Sequence, residues 1–501
     1  MLRRETEATG TDRYRMLETI REYAGERLTA AGEAGAAHEA HAHYFLRLAE
    51  AAAADLRGPE AERAGARLEA DQANLRAALA WCAATPARAV LHLRLGAALA
   101  GFWRRQDHWR EGLDHLARAL AGNPQPSPDR ALVLVQAAHL AIATADFPTA
   151  RQYATEGLAL NRQFGDAWGI QEALTALARV AANDGDYQAS YRLLQESLAV
   201  QRALGDHAAI AGSLLALGDM AFFQGDYAPA AALYEESLSL TRRGGETREL
   251  AYLLHRVAGA AVERGDYRRA ATLLEESLAL CGRLGFRGGY ADALCWSGEL
   301  AAQRGDYAGA ETRLREGLAL MEALGDNQGI PWVLRSLGWL AFRQGDGGRG
   351  MTLMEDSLAR ARAGGNQWSI SGALNGLGRL AFRQGDSARA ADLLRESLNL
   401  AQAQGAKQYL AKGLLGSAEV AGAQDRRAEA TRLLGALTAL LAALDLRLGA
   451  GDQADYDAQI AASRTALDGA DFAAAWAAGQ ALALDDAVAT ARALLDHTSS
   501  R

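Results

Sequence analysis

Aromatic, cationic and amide side chains gather in one stretch of the sequence: Trp332, Arg335, Trp339, Arg343, Asn375, Arg379 and Arg383. Arg335 and Trp339 are four residues apart, and Asn375 and Arg379 hold the same phases forty residues later. On helices that spacing puts each pair on one face. Arginine forks grip carboxylates or phosphates through paired hydrogen bonds, and tryptophan offers a plane for stacking. Both residue types dominate binding hot spots. The chemistry on offer is recognition; the other reading is that arginine is simply common in this chain and the tryptophans fill packing gaps. All seven are expected on a concave ligand- or partner-binding face, with Arg335, Asn375 and Arg379 exposed beside Trp339.

Other reactive groups point to no reaction. His38, His41 and His43 cluster in HEAHAHYF, and His38 and His41 could share a helix face, but no cysteine or fourth ligand accompanies them. A solvated or packed helix face is expected there. Cys82, Cys281 and Cys295 form neither a disulfide framework nor a zinc pattern. The carboxylate pairs Glu235-Glu236 and Glu275-Glu276 recur and read as an exposed face. No serine has a nucleophile-elbow context. The two lysines, Lys407 and Lys412, lie in GAKQYLAKG, which is not a phosphate loop. The expectation is a non-enzyme with no cofactor, no metal site and no ATP binding.

The elements that must position these residues are repeats. Gly-Asp pairs recur every 40 residues, at Gly185-Asp186, Gly225-Asp226, Gly265-Asp266, Gly305-Asp306, Gly345-Asp346 and Gly385-Asp386. The series extends to Ala145-Asp146 upstream and, as read here, to Gln424-Asp425 downstream. A second glycine ladder runs from Gly165 to Gly405 with the same period. Fixed self-similarity at this length means a solenoid or a propeller. Within GDYRRAATLLEESLAL the apolar or small residues Tyr267, Ala270, Ala271, Leu274 and Leu278 follow a helical face. Each unit therefore holds two helices. The glycine of each GD pair ends the first, and the aspartate caps the second.

Small residues recur in both helices, at Ala178, Gly218, Ala258, Gly298, Gly338, Gly378 and Ala418 and again at Ala150, Ser190, Ala230, Ala270 and Ala310. Bulky Leu194, Tyr234 and Leu274 fill the gaps. Two further ladders vary: Arg179, Asp219, Gly259, Glu299, Trp339, Arg379, Glu419, and Thr175, Leu215, His255, Cys295, Arg335, Asn375, Leu415. Packing positions must repeat, whereas binding positions need not. The large-small pattern over 129–430 resembles the tetratricopeptide repeat, stretched from 34 to 40 residues. That resemblance implies an all-α, right-handed α-solenoid.

Composition agrees. The chain has 501 residues, 50% hydrophobic, with a net charge of −8. So much apolar content excludes disorder as the main state, and the negative charge argues against coating nucleic acid. The apolar run LLGALTALLAALDL is too short to span a membrane, and the N-terminus lacks a signal-peptide core. Together with the lack of a disulfide framework, this leads us to expect a cytoplasmic protein with no membrane partner.

The flanks resemble another set of segments. RYRMLETIREYAGERL (13–28) resembles the last strand and helix of the winged helix in bacterial STAND-type regulators, the MalT-like and LuxR-like ATPases. HAHYFLRLAE, LEADQANLRAALAW, FWRRQDHWREGLDHLARAL and the C-terminal RLLGALTALLAAL stretch continue the likeness. It implies a winged-helix remnant over 1–30, a helical connector over 31–122, the repeat array over 129–430 and capping helices over 431–501. In that family the ATPase lies upstream of the winged helix, and many members end in a helix-turn-helix. Here Met1 falls inside the winged-helix segment and the chain ends in DHTSSR, so neither activity carries over, and no direct nucleic-acid binding is expected. The resemblance implies the effector-sensing, protein-interaction part of a transcriptional regulator, with a protein, peptide or small effector in the groove. The other reading is a free-standing adaptor that scaffolds an assembly.

Overall fold

The computed structural model describes residues 2–6, 12–16, 18–56, 60–106, 108–444 and 446–499. They form two compact units, Met1–Val180 and Ala181–Arg501. The fold is all-α apart from one hairpin among the described residues.

The first unit opens with that hairpin, β1 (Leu2–Thr6) and β2 (Asp12–Met16), paired antiparallel with Arg4 opposite Tyr14. Helix α1 (Glu18–Ala30) follows. Helices α2 (Ala34–Asp55), α3 (Ala61–Ala70), α4 (Gln72–Ala83), α5 (Ala89–Arg105) and α6 (Trp109–Gly122) pack around Phe45, Leu79, Leu95, Phe102 and Trp103. The proline-rich stretch 123–129 is a loop only to Ser127. Pro128 instead opens α7 (Pro128–Ala143), with Ser127 accepting from the Arg130 N–H. A proline lacks the N–H that a first helical residue leaves unpaired, so it fits there.

Helices α8 (Phe147–Phe164), α9 (Ala167–Asn183) and α10 (Tyr187–Leu204) lead into the hairpins of the second unit. These are α11 (His207–Phe223) with α12 (Tyr227–Thr241), α13 (Arg248–Glu263) with α14 (Tyr267–Arg283), and α15 (Arg287–Gln303) with α16 (Tyr307–Leu324). Next come α17 (Ile330–Arg343) with α18 (Gly347–Ala363), α19 (Gln367–Arg383) with α20 (Ser387–Gln404), and α21 (Lys407–Ala423) with α22 (Arg427–Ala443). The chain ends in α23 (Ala450–Ala466), α24 (Gly469–Gln480) and α25 (Leu484–Ser499).

The glycine ladders have the cause inferred for them. Every glycine from Gly165 to Gly405 at twenty-residue steps has positive φ, between 61° and 91°. At Gly225 the Asp226 N–H reaches back to the Ala221 carbonyl at 2.9 Å, which satisfies the last turn of α11. Aspartates 146, 186, 266, 306, 346 and 386 then accept the backbone N–H three residues on. Two copies depart. Asp226 makes no cap bond, because its carboxylate is taken by Lys407. The downstream copy is one residue later than read: Asp425, at φ 63°, occupies the glycine position and Arg426 the cap position.

Packing between paired helices follows the small-large pattern. A side chain at Gly218 would meet the Tyr234 ring at 2.5 Å, and one at Gly298, Gly338 or Gly378 would meet Leu314, Met354 or Leu394 within 2.8 Å. Serines tie four of these hairpins together. Ser237, Ser277, Ser357 and Ser397 donate to the carbonyls of Ala211, Ala251, Pro331 and Ser371, at 2.6–2.9 Å. The exposed carboxylate pairs make inter-repeat ion pairs, as in Arg202–Glu236 and Arg242–Glu276.

The second unit closes on itself. The Lys407 N–H donates to the Gln224 carbonyl at 3.0 Å, and Tyr227 donates its hydroxyl to Gln408. The turn before α21 therefore sits on the turn between α11 and α12, 181 residues away. The segment joining α22 to α23 fills the interior: Leu446 enters the cluster of Phe222, Tyr227 and Trp296, and Gln303 accepts from the Ala450 N–H at 3.2 Å.

Candidate functional site: the interior of the second unit

Closure leaves two cavities inside the second unit. One, of about 180 Å³, is bounded by Trp332, Arg335, Trp339, Arg343 and Asn375 from α17 and α19, and by Tyr409 and Asp452. The other, of about 600 Å³, is bounded by Tyr252, Arg256, Asp292 and Asp326. Phe222, Trp296, Trp332 and Trp368 border both. These rings touch in sequence: Phe222 lies edge-on to Trp296 at 5.9 Å and Trp296 lies 4.8 Å from Trp332.

The seven residues read from sequence are brought together, but not as an open patch. Arg379 is 1% exposed and Asn375 2%, which corrects the expectation that both face solvent. The Arg379 guanidinium donates to Glu419 at 3.2 Å, Asp452 at 2.5 Å and Asp455 at 2.7 Å. Burial works against its charge, and Glu419 and Asp452 more than offset that, holding its pKa above the ordinary value. Asp452 shows the converse. Burial pushes it up, but Arg379, Lys412 and Arg343 bring it down to about 2. Arg343 pairs with Asp455 at 2.7 Å, and Arg383 bridges Glu419 and Asp455. Three of the four arginines are therefore neutralised by this chain's own carboxylates. They are not free to grip a ligand's anion.

The Trp339 face is taken too, since the Arg379 guanidinium lies 5.0 Å from its ring centre. Arg335 donates to the Tyr409 hydroxyl at 2.5 Å and stacks 5.0 Å from Trp368. What remains open to a ligand is polar edge. Asn375 has an Nδ2 with no hydrogen-bond partner, and Trp368 an Nε1 likewise. Such buried donors are uncommon in a folded interior.

Sequence reading missed Arg256, Asp292, Asp326 and the acids of α23. Arg256 donates to Asp219 at 2.9 and 2.5 Å, and the Tyr234 hydroxyl adds a 2.6 Å bond to the same carboxylate. Asp326 caps by accepting from the Gln328 and Gly329 N–H groups. The signal for it was present: Asp166, Asp206 and Asn366 follow second-ladder glycines and also cap. Asp292 carries no repeat signature. Burial raises its pKa to about 6, with Arg256 lowering and Asp326 raising it.

The remaining reactive groups lie elsewhere. His38 and His41 pack near Trp81 and Phe45, and no group of three or more metal-binding side chains occurs among the described residues. The three cysteines are free and buried, and burial raises their pKa values. No helix among the described residues is long and apolar enough to cross a membrane.

Residues 169–243 match the tetratricopeptide-repeat family model. Over 182 residues the chain is 34% identical to "Putative HTH-type transcriptional regulator Rv0890c" of Mycobacterium tuberculosis and to its Mycobacterium bovis counterpart, "Putative HTH-type transcriptional regulator Mb0914c". The match covers 33% of this chain and 20% of each relative, so the chain spans about a fifth of their length. Among solved structures, the apo form of the quorum sensor NprR from B. thuringiensis aligns with a TM-score of 0.51 at 13% identity. That alignment covers 72% of this chain and 98% of that one. The fold is that of a tetratricopeptide-repeat solenoid, a protein-interaction architecture, and part of the chain is similar to proteins named as transcriptional regulators.

Proposed function

We propose that the chain is a non-enzymatic effector sensor of a transcriptional regulator, and that the interior of its second unit holds the effector. The observation that carries this reading is the larger cavity, walled by aromatic rings and unsatisfied polar edges. Its 600 Å³ lies within the range of small-molecule sites. A long peptide laid along the concave face would have to displace the 441–455 segment and its buried ion pairs. A small effector would not. Of the seven residues read from sequence, Trp332 then borders that larger cavity and Arg335, Trp339, Arg343 and Asn375 border the smaller one, while Arg379 and Arg383 hold the wall. The regulatory part of the reading draws on the mycobacterial proteins' names, and the winged-helix, ATPase-family and cytoplasmic assignments stand with it.

Hydrogen exchange on the full chain, with and without a low-mass metabolite extract, tests the reading. Protection confined to 252–256, 292–296, 326–332 and 364–369 is the expected result. An extract series that protects none of these segments would sink it, and would favour the adaptor reading, in which the closed, internally braced unit offers its outer faces to an assembly.

A further inference from the structure

The charge and shape of the larger cavity go further than its presence. We propose that it takes an organic ammonium: an amine or quaternary nitrogen carried on an apolar, preferably aromatic, body. This inference rests on the effector-site reading and specifies its ligand class.

Three observations converge. First, the charges do not balance. Asp292, Asp326 and Arg256 line the cavity, but Arg256 is already bound to Asp219, which does not line it. Two carboxylates therefore face the space without a free cation. Asp292 makes no ion pair with an arginine or lysine among the described residues, Arg256 acting on it only from beyond ion-pair distance; His255 Nε2 lies 3.7 Å away. That imidazole is 1% exposed and supplies no charge, because burial and the neighbouring Arg256 lower its pKa to about 3. Its Nδ1 has no hydrogen-bond partner. Asp326 already accepts two backbone N–H groups, which leaves Asp292 as the available anchor.

Second, the walls suit a cation. Phe222, Phe223, Tyr252, Trp296, Trp332 and Trp368 all border the cavity. Aromatic faces attract an ammonium most strongly where water is excluded, and tryptophan does so best. Phe222, Phe223 and Tyr252 already face the Arg256 guanidinium, with centroids 5.7, 5.7 and 5.9 Å from it. Trp368 already faces the Arg335 guanidinium at 5.0 Å, and Trp296 and Trp332 face no arginine among the described residues.

Third, the alternative is disfavoured by position. An anionic ligand drawn to Arg256 would share the cavity with Asp292 and Asp326, and would compete with Asp219, which already holds the guanidinium at hydrogen-bond distance. Like charges at such separations repel strongly in a low-dielectric pocket.

The experiment is isothermal titration calorimetry on the full chain at pH 7.5 with a charge series of one shape. Phenethylamine and benzyltrimethylammonium are the cationic probes, phenethyl alcohol the neutral one and phenylacetate the anion. Saturable binding of the cations is expected, at least tenfold tighter than the alcohol, with no binding of phenylacetate. Asp292→Asn should weaken cation binding at least tenfold and leave the alcohol unchanged. If that variant fails to fold, the charge series on the unaltered chain decides alone. Phenylacetate binding as tightly as the amines would overturn the ammonium assignment while leaving the effector site standing. Cation binding that Asp292→Asn does not change would place the anchor elsewhere and overturn it too. Should none of the four probes bind, the ammonium proposal fails, and the hydrogen-exchange test separately decides the effector reading.

Discussion

The ammonium of Lys407 lies 2.7 and 2.9 Å from the two carboxylate oxygens of Asp226, across 181 residues of chain. One lysine thereby joins two turns of the solenoid and withdraws the only GD aspartate of α10–α20 that does not cap its helix. The pair is part-buried, with side chains 32% and 24% exposed.

Lys407→Ala should therefore cost little in global stability, about 1 kcal/mol or less, since both charges keep contact with solvent and Asp226 regains its cap. The seam should loosen locally. Hydrogen exchange should rise at 224–230 and 405–412 and nowhere else. Unchanged exchange at both segments would mean that the backbone bond to Gln224 and Tyr227–Gln408 hold the seam without the lysine.

Arg379→Ala should behave very differently. It removes the cation that Glu419, Asp452 and Asp455 share, and Glu419 is as buried as the arginine. Leaving buried carboxylates unpaired costs about 3–5 kcal/mol. Denaturant unfolding should show a loss of that size, while Arg335→Ala, whose guanidinium meets a neutral tyrosine, should cost far less. Equal losses for the two would argue that the carboxylate network is not what places Arg379.

Much of this was legible in the sequence, and the reason is local. Positive φ favours glycine, so the two ladders mark turns wherever they occur, and small positions facing Tyr234 or Leu394 must stay small. The closure was not legible. It depends on small rotations summed over several hairpins, and no local pattern encodes that Lys407 will meet Asp226. The burial of Arg379 was hidden for a related reason: a variable groove position looks the same whether its partner is a ligand or the chain's own acid. One clue was available, since Arg379 and Glu419 are consecutive rungs of one ladder with opposite charge. Asp452 and Asp455, three apart at the start of α23, gave no sign of where they would dock.

The shifted eighth copy offers a clean backbone test. Asp425 is exposed and held at φ 63°, where an L side chain is strained. Asp425→Gly should raise stability by about 0.5–1 kcal/mol, the strain relieved less the extra freedom glycine gains when unfolded. Gly305→Ala, at φ 82°, should lower it by about 1–2 kcal/mol. Thermal unfolding of both variants checks the pair, and a stabilised Gly305→Ala would refute the conformational account of the ladder.

Asp292 should leave a signature in stability as well as in binding. Its folded pKa of about 6 stands above the ordinary 3.8, chiefly through burial. Between those values the folded chain holds a proton that the unfolded chain has lost. Stability from this group therefore falls as pH rises through the window, and stays at the lower level above it. Asparagine has no charge to bury. Asp292→Asn should accordingly melt higher than the parent at pH 7–8, with the gap shrinking below pH 6 and closing near pH 4. Taking the difference between variant and parent cancels the other titrating groups, apart from Arg256, Asp326 and His255, which face Asp292 directly. Of these, Arg256 keeps its charge throughout, and His255, with a pKa of about 3, stays neutral down to pH 4. Melting curves at five pH values from 4 to 8 make the measurement. A gap that is constant across them, or one that widens toward acid, would show that the Asp292 carboxylate is not strained by burial in the cavity wall.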